Sequence, residues 1–316
     1  MKQITVVMYH YVRELPLTRY PRIKGRLYSD FKKQIQYLLK NYSFVTLQEV
    51  RNAIYDPSAD LPDKAALLTF DDAYIDHYLN AFPVLAENNI QGVFFPTAET
   101  IVDRRVMSTN KIHFILATEQ DTGRLLRDLE TFVRTYREQF NLQELDHYKK
   151  GIAVDSRFDD FNTILFKRLL QRELPEKARD VILDELFKKY VTNDEKAFAH
   201  ELYLSEEQIR CMKGFGMEFG GHGFTHRWLN SLSREQQEWE IDKSINFLSG
   251  IGVDTSDWCM AYPYGAYNEE TIEILKGKKC RIAFTTDPGM TVLSKDNAYT
   301  LSRFDTNDIP IEGINL

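Results

Sequence analysis

The stretch Leu67-Leu68-Thr69-Phe70-Asp71-Asp72 is a short apolar run that ends in two adjacent carboxylates. An apolar run of this length before a helix-like segment predicts a buried central strand. Unpaired charges are costly inside such a strand, and successive side chains along it point to opposite faces. Asp71 and Asp72 can therefore serve one site only if the strand ends there and the chain turns. The alternative is an ordinary solvated turn, since Asp favours turns.

Composition limits the class of protein. The 316 residues suit one large domain or two ordinary ones, with an apolar share typical of a globular protein. A net charge of −7 without a basic block argues against a nucleic-acid surface. No apolar run is long enough for a transmembrane segment, and the N-terminal run is too short for a signal peptide, so we expect a cytoplasmic protein. Three widely spaced cysteines predict reduced thiols.

Strands and helices alternate in two parts of the chain. Strand patterns cover residues 4–9, 67–71, 92–95, 217–220, 258–262, 282–286 and 299–304. Helical spacing covers residues 31–39, 78–88, 233–248 and 269–276. This alternation predicts an α/β fold with a parallel sheet.

Residues 97–214 show helical periodicity only, for example over 125–140 and 176–190. Ser205 and Gln208 form a capping box for a helix that we expect to end near residue 214. We interpret residues 97–214 as a helical insertion, or a lid, within a single domain that spans 1–316. A dimerisation arm is the alternative, in which case a homo-oligomer would form through this insertion.

The second polar cluster is His222-Gly223-Phe224-Thr225-His226. A helix would place both imidazoles on one face, whereas Gly220 and Gly221 favour a loop. In either case the two rings can converge, although structural histidines are the alternative. Two imidazoles and one carboxylate leave a fourth position open, which is the pattern of a catalytic zinc site. The second carboxylate could then act as a general base toward water.

Three motifs in this order, namely Thr69-Phe70-Asp71-Asp72, the run 222–226 and Tyr262-Pro263-Tyr264-Gly265, resemble the polysaccharide deacetylase family (NodB homology, carbohydrate esterase 4). The resemblance covers residues 1–96 and 215–305. It implies a distorted (β/α)7 barrel with a large helical insertion. It also implies a hydrolase that removes the N-acetyl group from an amino sugar in a polysaccharide, oligosaccharide or sugar precursor.

The resemblance also implies roles for individual residues. Asp71 resembles the catalytic base. The implied ligands of one divalent ion, Zn²⁺ with Co²⁺ or Ni²⁺ as alternatives, are Asp72, His222 and His226. The backbone N–H of Tyr264 resembles the family's oxyanion donor, and Tyr262 and Pro263 flank it on the substrate side.

The sequence departs from the family pattern at two places. Many members carry an Arg shortly before the Pro-Tyr pair that orients the base, but Met260 and Ala261 stand there. Arg303 is a candidate replacement, although we expect it at the surface. Members also commonly take the general acid from a Leu-x-x-His motif, whereas residues 301–304 read Leu-Ser-Arg-Phe. The acid must therefore come from elsewhere.

His10 is the predicted general acid. It follows the strand predicted at residues 4–9, and parallel barrels place catalytic groups at the C-terminal ends of strands. Met8-Tyr9-His10-Tyr11-Val12 also resembles the N-terminal Tyr-His motif of the poly-N-acetylglucosamine deacetylase branch. The alternative is a buried histidine bonded to the backbone. We expect the remaining histidines at the surface: His77, His113, His147 and His200.

Two other functions stay open at this point. One is hydrolysis of a different C–N bond, such as a formamide or cyclic imide, on the same scaffold. The other is a sugar-binding barrel without catalysis. The complete set of Asp71, Asp72, His222 and His226 favours an enzyme, since a decayed site would be expected to have lost a ligand.

Overall fold

The computed structural model describes residues 2–152 and 160–312. No helix within these ranges is both long and apolar enough to cross a membrane. The chain forms two compact units. The first contains the residues up to Glu14, Gly25–Arg105 and the residues from Ala199 onward, and the second contains Leu15–Lys24 and Val106–Phe198. A single domain with an insertion at 97–214 stays a prediction.

The strands all belong to the first unit. They are β1 (Gln3–Tyr9), β2 (Val12–Arg13), β3 (Arg26–Leu27), β4 (Ser43–Phe44), β5 (Ala65–Asp71), β6 (Gly92–Phe95), β7 (Glu218–Phe219), β8 (Trp258–Ala261), β9 (Cys280–Phe284), β10 (Thr291–Val292) and β11 (Phe304–Asp305). The predicted strands before residue 286 are present, with small shifts at their ends.

The helices follow in chain order through both units. They are α1 (Tyr28–Asn41), α2 (Leu47–Tyr55), α3 (Phe82–Glu87), α4 (Ala98–Val102), α5 (Ser108–Thr118), α6 (Thr122–Thr135), α7 (Arg137–Phe140), α8 (Leu145–Tyr148), α9 (Phe161–Arg168), α10 (Glu176–Tyr190), α11 (Glu195–Leu202), α12 (Glu206–Gly214), α13 (Arg234–Gly250) and α14 (Glu269–Gly277). The predicted capping box of Ser205 and Gln208 is present at the start of α12.

Parallel pairing organises the first unit. Strands β1, β5, β6 and β7 lie in this order in one sheet, where β4 pairs with β5 and β11 with β1, while β8 pairs with β9. Single parallel bridges join Gly221 to Met260 and Phe284 to Leu301. The strands thus form a distorted barrel that is not closed by continuous pairing. The predicted α/β fold with a parallel sheet is confirmed.

Four stacked aromatic rings hold the central strands in register. Tyr9, Phe70, Phe94 and Phe219 are successive partners on β1, β5, β6 and β7. Their ring centroids lie 5.2, 4.7 and 5.4 Å apart along this row. Cross-strand aromatic pairs stabilise a sheet, and a slip of one residue would turn every side chain to the other face. The row therefore aligns the C-terminal ends of these four strands.

Two segments differ from the sequence prediction. The final strand is β11 rather than residues 299–304. The N–H of Leu301 donates to the carbonyl oxygen of Ala283, and its carbonyl oxygen accepts from the N–H of Thr285, but these two hydrogen bonds do not extend into a ladder. The helix predicted over 78–88 begins as a π-helical turn, and α3 starts only at Phe82. Pro83 explains the widened turn, since it has no N–H to donate to the residue four positions earlier.

The second unit is helical. On α5, the buried ammonium of Lys111 pairs with Asp184 and lies 2.9 Å from Glu195. The guanidinium of Arg22 donates to the carbonyl oxygens of Ala117 and Thr118 at the end of α5. Carbonyl groups at the end of a helix lack intrahelical partners, so Arg22 supplies the missing donors and ties the 15–24 segment to this unit.

Gly220 lies where β7 leaves the sheet, and we expect an alanine there to be poorly tolerated. A Cβ at this position would lie 2.6 Å from both the carbonyl oxygen and the sulfur of Cys259. Gly220→Ala should therefore lower the free energy of unfolding by about 1–3 kcal/mol, measured by urea denaturation. Gly250→Ala is the matched control, because an added Cβ there meets no described heavy atom within 4 Å apart from its chain neighbours and the backbone of its own helix. Equal stabilities of the two variants would contradict this close contact.

Candidate metal centre and active site

The chain turns sharply at the two carboxylates. Asp71 is the last residue of β5, and Asp72 and Ala73 both have positive φ values, 75° and 55°. The N–H of Asp72 donates to the carbonyl oxygen of Phe95 on β6 at 3.0 Å. Left-handed backbone is uncommon for residues other than glycine and favours a tight turn. The strand therefore ends where the sequence predicted, and both carboxylates are buried at its end.

Asp72, His222 and His226 converge. One ligand atom from each lies within 4.8 Å of the other two. The Nε2 atoms of His222 and His226 are 3.5 and 3.4 Å from Oδ1 of Asp72. The segment 222–226 is a loop rather than a helix, as the neighbouring glycines favoured. Two distant parts of the sequence thus meet in one pocket.

The ligand atoms fit a divalent cation. The Nδ1–H of His222 donates to the carbonyl oxygen of Ala261 at 2.7 Å, so its Nε2 presents a lone pair to the pocket. Oδ1 of Asp72 is buried and has no hydrogen-bond partner in the described part of the chain. Two zinc bonds of about 2.1 Å at a tetrahedral angle separate their ligand atoms by about 3.4 Å. The observed separations are close to this value.

The protonation states also suit metal binding. Burial lowers the pKa of His226 to about 4, so the imidazole is neutral at pH 7. Burial alone would raise the pKa of Asp72, but attraction to the histidines, His226 above all, outweighs it and places this pKa below its ordinary value. The hydroxyl of Tyr74 donates to the other oxygen of Asp72 at 2.8 Å and orients the carboxylate. Neutral imidazoles and an ionised carboxylate are the forms that bind metals.

Asp71 is paired with Arg303. Two parallel hydrogen bonds of 2.8 Å join the guanidinium to both carboxylate oxygens, and Nε of Arg303 donates to the carbonyl oxygen of Thr285. Burial would raise the pKa of Asp71, but the charge of Arg303 outweighs it and holds this pKa well below its ordinary value. The expectation of a surface Arg303 was wrong, because the side chain is fully buried with its donors satisfied. Arg303 was the candidate replacement for the arginine missing near residue 260, and that role stays a prediction.

His10 follows β1 at the same end of the sheet and is half-buried. Burial acts to raise the pKa of Asp71, whereas the charges of Arg303, His222 and, to a smaller extent, His10 act to lower it. His77 was expected at the surface, but it is fully buried, and its Nε2 lies 2.9 Å from the carbonyl oxygen of His10 and donates to it. A backbone carbonyl needs a donor when buried, and this need explains the position of His77.

The chain beyond His10 is anchored by the same segment that carries His77. The carboxylate of Asp76 accepts a hydrogen bond from the N–H of Val12. It also accepts two from the guanidinium of Arg13, at 2.7 and 2.9 Å. Asn80 donates to the carbonyl oxygen of Val12 at 2.7 Å. The backbone after His10 is therefore held in place by polar side chains that the sequence did not single out.

The Tyr262-Pro263-Tyr264-Gly265 motif leaves β8 next to the histidines. The side chain of Tyr262 is buried, and its hydroxyl donates to the carbonyl oxygen of Tyr299. Pro263 is buried in the turn that follows, and Tyr264 has a φ of 57°. The ring of Tyr264 lies 4.5 Å from the ring of His226 and stacks on Trp228. The side chain of Tyr264 thus borders His226, one of the three candidate metal ligands.

The fold and the site define an α/β protein with a parallel barrel-like sheet, in which one carboxylate and two imidazoles that could hold a metal ion lie beside a paired carboxylate. The family model described as polysaccharide deacetylase matches residues 58–126 and 183–283, which is more than half of the chain. The chain therefore belongs to the polysaccharide deacetylase family, as its three motifs predicted. The matched ranges include Asp71, Asp72, His222 and His226. His10 and Arg303 lie outside them.

Individual relatives agree with this assignment. The curated protein "Putative polysaccharide deacetylase YxkH" of Bacillus subtilis (strain 168) is 31% identical over 109 residues. That match covers 34% of this chain and only 38% of the length of YxkH. The Streptococcus pyogenes deacetylase PplD, solved in complex with acetate, superposes with a TM-score of 0.58 at 18% identity over 99% of this chain and 94% of its own. IcaB from Ammonifex degensii superposes with a TM-score of 0.55 at 19% identity, and the match covers 97% of this chain and 92% of the IcaB chain. At these identities the structures share the fold.

Removal of the arginine should expose the cost of the buried carboxylate. Arg303→Met leaves Asp71 without its partner and should lower the free energy of unfolding at pH 7 by about 3–5 kcal/mol in urea titrations. The double variant Asp71→Asn with Arg303→Met removes the charge as well and should lose less stability.

The pairing of Asp71 with Arg303 should also make stability depend on pH. Because the folded pKa of Asp71 lies below its unfolded value of about 3.9, the stabilisation is present above this pH and is lost as the pH falls. Wild-type stability in Arg303→Met would contradict this account.

Proposed function

We propose that this protein is a metal-dependent hydrolase that removes the N-acetyl group from an amino sugar in a polysaccharide, oligosaccharide or sugar precursor. The observation that carries the proposal is the arrangement at the end of β5. Asp72 faces two imidazoles that fit a cation, while its neighbour Asp71 is ionised and oriented by Arg303. An ion site beside an ionised carboxylate that does not bind the ion is what hydrolysis of an amide by water requires.

Asp72, His222 and His226 are the proposed ligands of one divalent ion. Two nitrogens and one oxygen favour zinc and leave one position open, while cobalt and nickel suit the same ligands. When bound, the ion would polarise the amide carbonyl and favour ionisation of water near neutral pH. The bond from Nδ1 of His222 to Ala261 fixes the tautomer that presents Nε2 to the pocket.

Asp71 is the proposed general base. Its low pKa keeps the carboxylate unprotonated at neutral pH, and the two bonds to Arg303 hold it in one orientation. In the proposed reaction Asp71 accepts a proton from water as the water oxygen attacks the carbonyl carbon. The N–H of Tyr264 is the proposed donor to the carbonyl oxygen, on which negative charge develops.

His10 is the proposed general acid. The reaction breaks the C–N bond, and the departing amine nitrogen needs a proton before it leaves. His10 follows β1 at the same strand ends as Asp71, and His77 holds its carbonyl oxygen. The products are then acetate and a free amino sugar. The cytoplasmic location and a homo-oligomer through the helical segment stay predictions.

An acetate-release assay tests the proposed reaction. With N-acetylglucosamine oligomers and the zinc-loaded protein we expect acetate, whose release stops on chelation and returns with added zinc.

Asp71→Asn should lower turnover at least about 100-fold while metal content measured by mass spectrometry stays unchanged. Formate release from formylated substrates instead of acetate would favour hydrolysis of another C–N bond. Metal binding without turnover of any amide would favour a non-catalytic sugar-binding barrel.

The role of His10 can be tested separately. His10→Ala should lower kcat about 100-fold or more, because the amine would leave without a positioned proton donor. Zinc affinity should be unchanged, since His10 is not one of the proposed ligands. His147→Ala is the matched control at an exposed histidine, and its kcat should equal that of the wild type. A His10→Ala protein with near wild-type kcat would assign the acid role to another group.

A further inference from the structure

The loop between the two histidine ligands is buried and irregular. Gly223, Phe224 and His222 are all buried, and Gly223 and His226 have positive φ values of 71° and 60°. Backbone groups in such a loop have no helix or sheet partners, yet each buried N–H needs an acceptor. The positions of both imidazoles therefore depend on whatever satisfies this backbone.

Glu240 supplies the acceptors. It lies on α13, is only 1% exposed, and its Oε2 accepts hydrogen bonds from the N–H groups of Phe224 at 2.8 Å and Thr225 at 2.9 Å. The hydroxyl of Thr225 donates to the other carboxylate oxygen. Three donors from two consecutive residues suit a carboxylate, which has only acceptors to offer.

The opposite side of the loop is fastened as well. The carbonyl oxygens of Gly223 and Phe224 accept hydrogen bonds from the N–H groups of Ala98 and Glu99, at 3.4 and 2.9 Å. A Cβ at position 223 would lie 3.3 Å from Oε2 of Glu240, so a larger residue there would press against the carboxylate. The loop is thus held between α13 and the segment after β6.

We propose that Glu240 is a positioning residue that sets the affinity of the Asp72–His222–His226 site for its metal ion. It contacts neither imidazole and acts by fixing the loop that carries both of them. The inference rests on the proposed metal centre. Without Glu240 the two buried N–H groups would seek other acceptors, and the separation of the imidazoles would no longer match the ion. Partners that orient metal ligands are worth about 10- to 100-fold in affinity.

Zinc affinity of the full-length protein is the direct test. The dissociation constant is measured by competition with a chromophoric chelator after the resident metal has been removed. Glu240→Ala should weaken zinc binding about 10- to 100-fold. Glu240→Gln keeps one oxygen acceptor and should recover part of this loss. Thr225→Val removes one donor and should show the smallest effect of the three variants.

The matched control is Gln237→Ala. Gln237 is also buried on α13, but it bonds to the carbonyl oxygen of Leu232 and to the hydroxyl of Thr271, away from the histidine loop. Its loss should lower the melting temperature of the metal-free protein as Glu240→Ala does, without weakening zinc binding. The visible absorption of the cobalt-loaded forms gives a second readout, and its intensity should change in the Glu240 variants but not in Gln237→Ala.

The outcomes separate this inference from the proposed function. If the wild type binds zinc and the Glu240 variants bind it as tightly as the wild type does, the proposed role of Glu240 is wrong and the metal centre stands. The same holds if Gln237→Ala weakens zinc binding as much as Glu240→Ala does. If the wild type binds no divalent ion, the metal centre itself is wrong, and this inference with it. If Glu240→Ala does not fold, the same comparison is made with Glu240→Gln and Thr225→Val, and unchanged affinity in both overturns the inference.

Discussion

Two consecutive buried carboxylates at the end of β5 are the constraint on which the rest of the site depends. A buried charge is costly unless it is paired and hydrogen-bonded, so Asp71 and Asp72 each require partners. Asp71 meets this need through Arg303, close to the C-terminal end of the described chain. Asp72 accepts from Tyr74 on one oxygen and faces two imidazoles with the other. These partners tie β5 to strands that are distant in sequence.

The parallel sheet makes this convergence achievable. The side chains of the site follow the C-terminal ends of neighbouring strands, which in a parallel arrangement meet at one end of the sheet. The row of stacked rings from Tyr9 to Phe219 lies directly beneath that end and keeps the strands in register. Since a slip of one residue would move Asp71 to the opposite face, the register of the apolar row also determines where the carboxylates point.

A recurring feature is that a buried polar residue holds Asp71, Asp72 and the histidine loop. Arg303 orients Asp71, Tyr74 orients Asp72, and Glu240 holds the loop of His222 and His226. Such partners restrict side-chain motion, which matters because a misplacement of about 1 Å can cost about 100-fold in rate. Their hydrogen bonds also offset the cost of burying the carboxylates.

The sequence by itself determined the alternation of strands and helices, the turn at Asp71 and Asp72, and the loop at residues 222–226. These features are local, because they follow from apolar periodicity, glycine positions and motif spacing. Only the tertiary structure decided that Arg303 is buried against Asp71, that His77 bonds to the backbone of His10, and that the last strand is short. Those outcomes depend on which distant groups satisfy a buried charge or carbonyl, and no local pattern encodes that choice.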